Sequence, residues 1–289
     1  MKWRDRRQSN NVEDRRGEQV RAGMNLQAII PIARFLLQTK IGKIVLIIGV
    51  IAYFLGFNPL SMLNLSAPAT SNQAITKNDE EQAKFIATIL AETEDVWNNI
   101  FAKNSSKYVE PNLVLFRGVV NSGCGFASSQ VGPFYCPNDQ KIYIDLNFFN
   151  ELAKRYNAPG DFANAYVLAH EVGHHVQYLT GTLKKAEELK KQTSDKARKN
   201  AIQVKVELQA DCYAGIWAHY VHFEKNLLED GDIDEALNAA NMIGDDALQR
   251  KARGYVVPDS FTHGTSKQRK EWFYKGFKSG NLKNCNTKI

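Results

Sequence analysis

The chain has 289 residues, 44% of them hydrophobic and 24% charged, with a formal net charge of +6. That composition is globular, and the length allows one large domain with accessories. The charge excludes a nucleic-acid-binding body: residues 1–43 hold ten Lys/Arg against four Asp/Glu, while the remaining 246 hold 27 of each sign.

Residues 1–40 read as a basic arm. Ile44 to Phe57 are apolar without a break, Ile41 precedes them, and Leu60, Met62 and Leu63 follow. A bilayer span needs about 20 apolar residues, so 41–63 predicts one transmembrane helix. The excess of basic residues before it puts the amino-terminus in the cytoplasm and the rest on the periplasmic or extracellular side. Ala67-Pro68-Ala69 is a poor cleavage site for a signal peptide, because proline sits inside it and the preamble is too long. Residues 64–76 form an uncharged linker rich in Ser, Ala, Thr and Pro. From 77 to 289 the chain reads as one domain. Helical spacing of Phe85, Ile86, Ile89, Leu90, Val96, Trp97 and Ile100 predicts a helix over 79–103. Leu113 to Val120 is a strand, and Gly123 to Asn138 is rich in turns. Lys141 to Phe149 alternates as a half-exposed strand, one whose edge could take an extended peptide. A helix follows from Asp161, as N-cap, to Leu179. Residues 183–200 are polar and exposed. Two more helices cover Ala201–Glu224 and Asp232–Arg250, and Ser260–Gly280 packs its aromatic residues on the body. The class is α+β, mostly helical with a small sheet.

Cys124, Cys136, Cys212 and Cys285 all follow the apolar run. An even count on an exported side suggests two disulfides. Cys124 and Cys136 are the local pair, which leaves Cys212 with Cys285. No Cys-x-x-Cys spacing exists to make a four-cysteine zinc site.

His170-Glu171-Val172-Gly173-His174 is H-E-x-x-H on a predicted helix. Residues four apart share a helical face, so both imidazoles reach one zinc ion. Glu171 is placed to take a proton from a water that the metal activates. A catalytic zinc needs a third protein ligand and one open position. The residue six places after the second histidine is Thr180, which cannot supply it. Glu207 and Asp211 lie four apart on a later helix with small and apolar neighbours. Glu207 would bind the metal, and Asp211 would orient a ligand histidine. His175 points about 100° away from His174 and reads as structural. His219 and His222 lack a third ligand nearby. His263 sits in a Gly/Ser/Thr-rich loop, where it could stabilise an oxyanion or simply bond its loop; Tyr143 is a weaker candidate for the same task.

His170-Glu171-Val172-Gly173-His174-His175, with Glu207-Leu208-Gln209-Ala210-Asp211-Cys212-Tyr213-Ala214-Gly215, resembles the neutral zinc metallopeptidase family of bacterial membrane-anchored proteins. So do the opening run from Trp3 to Arg16, Cys124-Gly125, Phe134-Tyr135-Cys136-Pro137 and Phe261-Thr262-His263-Gly264. The resemblance covers nearly the whole chain. It implies a zincin-like, gluzincin-type site with one Zn2+ on His170, His174 and Glu207, Glu171 as base, and peptides or proteins as substrates. The competing reading is a membrane-tethered scaffold with a structural zinc. That would need a fourth protein ligand, from His175 or Cys212.

Overall fold

Thr76 opens the first long helix, where its hydroxyl and the Asp79 carboxylate cap each other's backbone N–H groups. This computed structural model describes residues 1–18, 38–39 and 75–289. The expected transmembrane helix at 41–63, and most of the linker at 64–76, lie outside the described residues. Among the described residues, no helix is long and apolar enough to cross a membrane.

The elements run β1 (Val12–Asp14), α1 (Lys77–Lys103), β2 (Asn112–Phe116), β3 (Val119–Ser122), β4 (Gly125–Ser128), β5 (Phe134–Cys136), β6 (Lys141–Asp145), α2 (Asn147–Lys154), α3 (Asp161–Leu179), α4 (Thr182–Lys191), α5 (Lys196–Phe223), α6 (Asp232–Met242), α7 (Asp245–Arg253) and α8 (Ser266–Ser279). Four strands form one sheet in the order β1-β2-β6-β5, with β5 antiparallel to β6 and the other pairs parallel. A hairpin of β3 and β4 stands apart. The α+β class, mostly helical with a small sheet, is what the molecule shows.

Several boundaries differ from the sequence reading. The strand expected over Leu113–Val120 breaks at Arg117-Gly118, where Gly118 has φ +77° and Asp145 accepts its N–H. The strand expected over Lys141–Phe149 ends at Asp145, whose carboxylate also accepts the N–H of Asn147 and starts α2. It is not half-exposed: β6 lies between β2 and β5, and Ile142, Tyr143 and Ile144 are all buried. The free edge beside it is β5. The long helix expected over Asp232–Arg250 breaks at Gly244, against which Ser266 packs so closely that no Cβ fits.

The amino-terminal residues give the largest correction. Met1–Gly17 belong to the same folded unit as the body, and Glu18–Asn72 form a second unit. Trp3 is buried edge-on to Phe85 and donates its indole N–H to Asp161. Arg6 pairs with Glu92, and Arg7 with Glu94 and Asp95. Arg16 is buried and bonds Asp14, Glu80 and the Asp79 carbonyl. Within residues 1–17, Arg4, Arg6, Arg7 and Arg16 therefore answer a row of acids on α1.

The core joins α1, α3, α5 and α8. Trp97, Phe162, Tyr166, Trp217 and Phe273 are almost wholly buried there. α5 and α8 touch backbone to backbone: a Cβ on Gly215 would lie 2.0 Å from the Phe273 carbonyl, and one on Gly276 would lie 2.0 Å from that of Cys212. Disulfides join Cys124 to Cys136 and Cys212 to Cys285, as the spacing suggested.

Candidate metal centre

His170 and His174 project from one face of α3 toward Glu207 on α5. Ligand atoms of the three residues lie within 4.8 Å of one another, and no other such group occurs among the described residues. His170 Nε2 is 3.2 Å and His174 Nε2 3.4 Å from Glu207 Oε2. Two neutral imidazoles and one carboxylate are a donor set that suits zinc.

Each of the three is held from behind. His170 Nδ1–H donates to Asp211 Oδ1 at 2.8 Å. Asp211 is fully buried, receives the Tyr166 hydroxyl at 2.6 Å, and is gripped by Arg269 through Nε and Nη2, both at 2.9 Å. Burial alone would raise the Asp211 pKa; Arg269 and His170 outweigh it and hold the group at about 2. His174 Nδ1–H donates to Gln177 Oε1 at 2.9 Å, and Gln177 is fixed by the Val206 carbonyl and Gln209. Gln203 donates to Glu207 Oε1 at 2.6 Å. Both Nδ1 atoms are thus committed, which leaves both Nε2 atoms for a metal.

Glu171 faces the same space. Burial pushes its pKa up, against the pull of His174 and His170. A cleft of about 800 Å³ opens over the group, lined by residues that include Phe134 and Tyr135 of β5, Glu171 and His263. His263 sits at its rim, half exposed, with Nδ1 3.3 Å from Asp245 Oδ1. Asp245 Oδ2 accepts three successive N–H groups, from Thr262, His263 and Gly264, and so pins the loop.

Other candidates fall elsewhere. Tyr143 is buried on the far side of β5, stacked on Phe134 and bonded to Asp139, and does not line the cleft. His175 bonds Tyr135 and Val109. His219 is held by the Phe277 carbonyl. His222 lines a separate hollow of about 860 Å³ between α6 and α8, which lacks a metal-ligand set. The sequence reading missed Arg269, Tyr166, Gln203 and Gln177. Gln177, Tyr166 and Gln203 had a local signal, three or four residues from His174, His170 and Glu207 on the same helical faces, whereas Arg269 had none.

A family model described as "Putative neutral zinc metallopeptidase" matches residues 1–288. The chain belongs to this family. The resemblance first carried by the His170–His175 and Glu207–Gly215 segments is therefore borne out. Relatives include "Uncharacterized protein YpfJ" of Escherichia coli (strain K12), 46% identical over 99% of this chain and 98% of its own length. "Uncharacterized protein Rv2575" of Mycobacterium tuberculosis (strain ATCC 25618 / H37Rv) is 43% identical over 62% of this chain and 63% of its own. No solved structure matches.

Proposed function

We propose that this family member hydrolyses peptide bonds, with one zinc ion held by His170, His174 and Glu207. The observation that carries the reading is three convergent ligand atoms beneath a cleft, with a buried carboxylate beside them. Zinc, when bound, supplies Lewis acidity toward a carbonyl and a water. Glu171 takes the proton of the attacking water and returns it to the leaving amine. His263, braced by Asp245, donates a hydrogen bond to the developing oxyanion. The peptide lies extended along the free edge of β5, which replaces the 141–149 strand in that role. An exported location suits the two disulfides.

A closed structural zinc site has less support. His175 spends both ring nitrogens on Tyr135 and Val109, and Cys212 is tied to Cys285. Neither can act as a fourth ligand as the chain is folded. The test uses the full chain, wild type and Glu171→Gln, with zinc content and cleavage of an unfolded protein as readouts. We expect stoichiometric zinc in both and a loss of at least about 100-fold in kcat for the variant. Stoichiometric zinc in a wild type that cuts no peptide would favour the scaffold reading.

A further inference from the structure

Two successive histidines on α3 face different ways. His174 looks into the cleft. His175, fully buried, reaches behind β5. Its Nε2 lies 2.6 Å from the carbonyl oxygen of Val109, so that nitrogen must carry the proton and donate it. Nδ1 is then bare in the neutral ring, and it accepts from the Tyr135 hydroxyl at 3.0 Å. Tyr108, Tyr135 and Tyr178 pack around the imidazole, at centroid distances of 5.8, 5.4 and 6.4 Å.

Tyr135 is the middle residue of β5, the strand with a free edge on the cleft. Its flanking residues point the other way: Phe134 packs on, and Cys136 within, the small cluster of Val114, Phe116 and Tyr143. Pro133 and Pro137 bound the strand. Within β5, the polar side-chain bond to the metal-bearing helix is therefore Tyr135 to His175. We propose that His175 and Tyr135 form a strut that sets the distance between the peptide-binding edge and the metal centre. His175 is a positioning residue in this role and touches no reacting atom. An apolar residue could fill the same space, but it could not join a loop carbonyl and a strand hydroxyl through one rigid ring. This inference rests on the peptidase reading above and specifies what holds its substrate in register.

Tyr135→Phe removes only the hydroxyl. His175→Leu fills much of the same space and has neither the donor for Val109 nor the acceptor for Tyr135. The full-length enzyme would be assayed on a long fluorogenic peptide that follows the edge and on a short one confined to the scissile bond. We expect KM for the long peptide to rise about fivefold in Tyr135→Phe, the worth of one hydrogen bond, and at least as much in His175→Leu. kcat, zinc content and KM for the short peptide should stay near wild type. The double variant should lose no more than His175→Leu alone, because that change already breaks the bond to Tyr135. Backbone hydrogen exchange over 133–137 should quicken while that of α3 does not. Unchanged KM and unchanged exchange would overturn the strut. So would a uniform loss that tracks the folded fraction. The exchange arm needs no activity, so the strut can be judged even if the wild type cuts no peptide.

Discussion

Asp211 shows how much one residue can carry. It bonds His170, Tyr166 and Arg269 at once and is fully buried. Its charge sets the His170 tautomer, and Arg269 makes that charge tolerable in the interior. Asp211→Asn keeps the shape and removes the charge. Zinc affinity should then fall about 10- to 100-fold, as for other losses of a group behind a metal ligand. Competition with a chromogenic chelator measures this, and an unchanged affinity would end the orienting role. Asp211 was legible beforehand through its four-residue spacing from Glu207. Arg269 was not, since nothing local distinguishes it from Lys267 or Lys270 beside it.

At the level of elements, the site depends on how closely α8 approaches α5. Arg269 rides on α8, and the approach requires Gly215 and Gly276. Gly215→Ala would drive a methyl into the Phe273 backbone and push the helices apart. Overpacking of this kind costs about 1–3 kcal/mol, so the melting temperature should drop. Arg269 should also draw back from Asp211, and zinc affinity should fall along with stability. Thermal unfolding read beside metal content checks both; lost stability with intact affinity would show that Arg269 reaches Asp211 by another route. Element types were mostly readable from periodicity, whereas three boundaries were not. Gly118, Asp145 and Gly244 each end an element through a partner distant in sequence.

For the whole molecule, residues 1–17 decide the architecture. They lend a parallel strand, a core tryptophan and four arginines paired with acids on α1. A chain that begins at residue 65 should be far less stable, and a peptide of residues 1–17 added in trans should restore part of the loss. Equal melting temperatures with and without the segment would contradict this. Topology can be tested as well. All four native cysteines are in disulfides, so single cysteines at Arg4 and Lys267, both exposed, can be labelled selectively. An impermeant maleimide should reach both from the same side of a membrane. Labelling from opposite sides would mean that β1 is not docked in the cell.

Sequence alone pointed to the proposed chemistry: H-E-x-x-H spacing puts two imidazoles and a carboxylate on one helical turn, and the Glu-x-x-x-Asp pair offers a third candidate ligand and its partner. Those are local facts of helix geometry, so they survive without knowledge of the fold. Charge bookkeeping along the chain pointed to a free basic arm, because a one-dimensional count cannot see acids on α1 that lie some 80 residues away. Tertiary structure alone decided that the arm's first residues belong to the fold, that β5 and not β6 borders the cleft, and that Arg269 steadies Asp211. Each of these depends on which distant segments share an interface, and burial settles that only once the chain has packed.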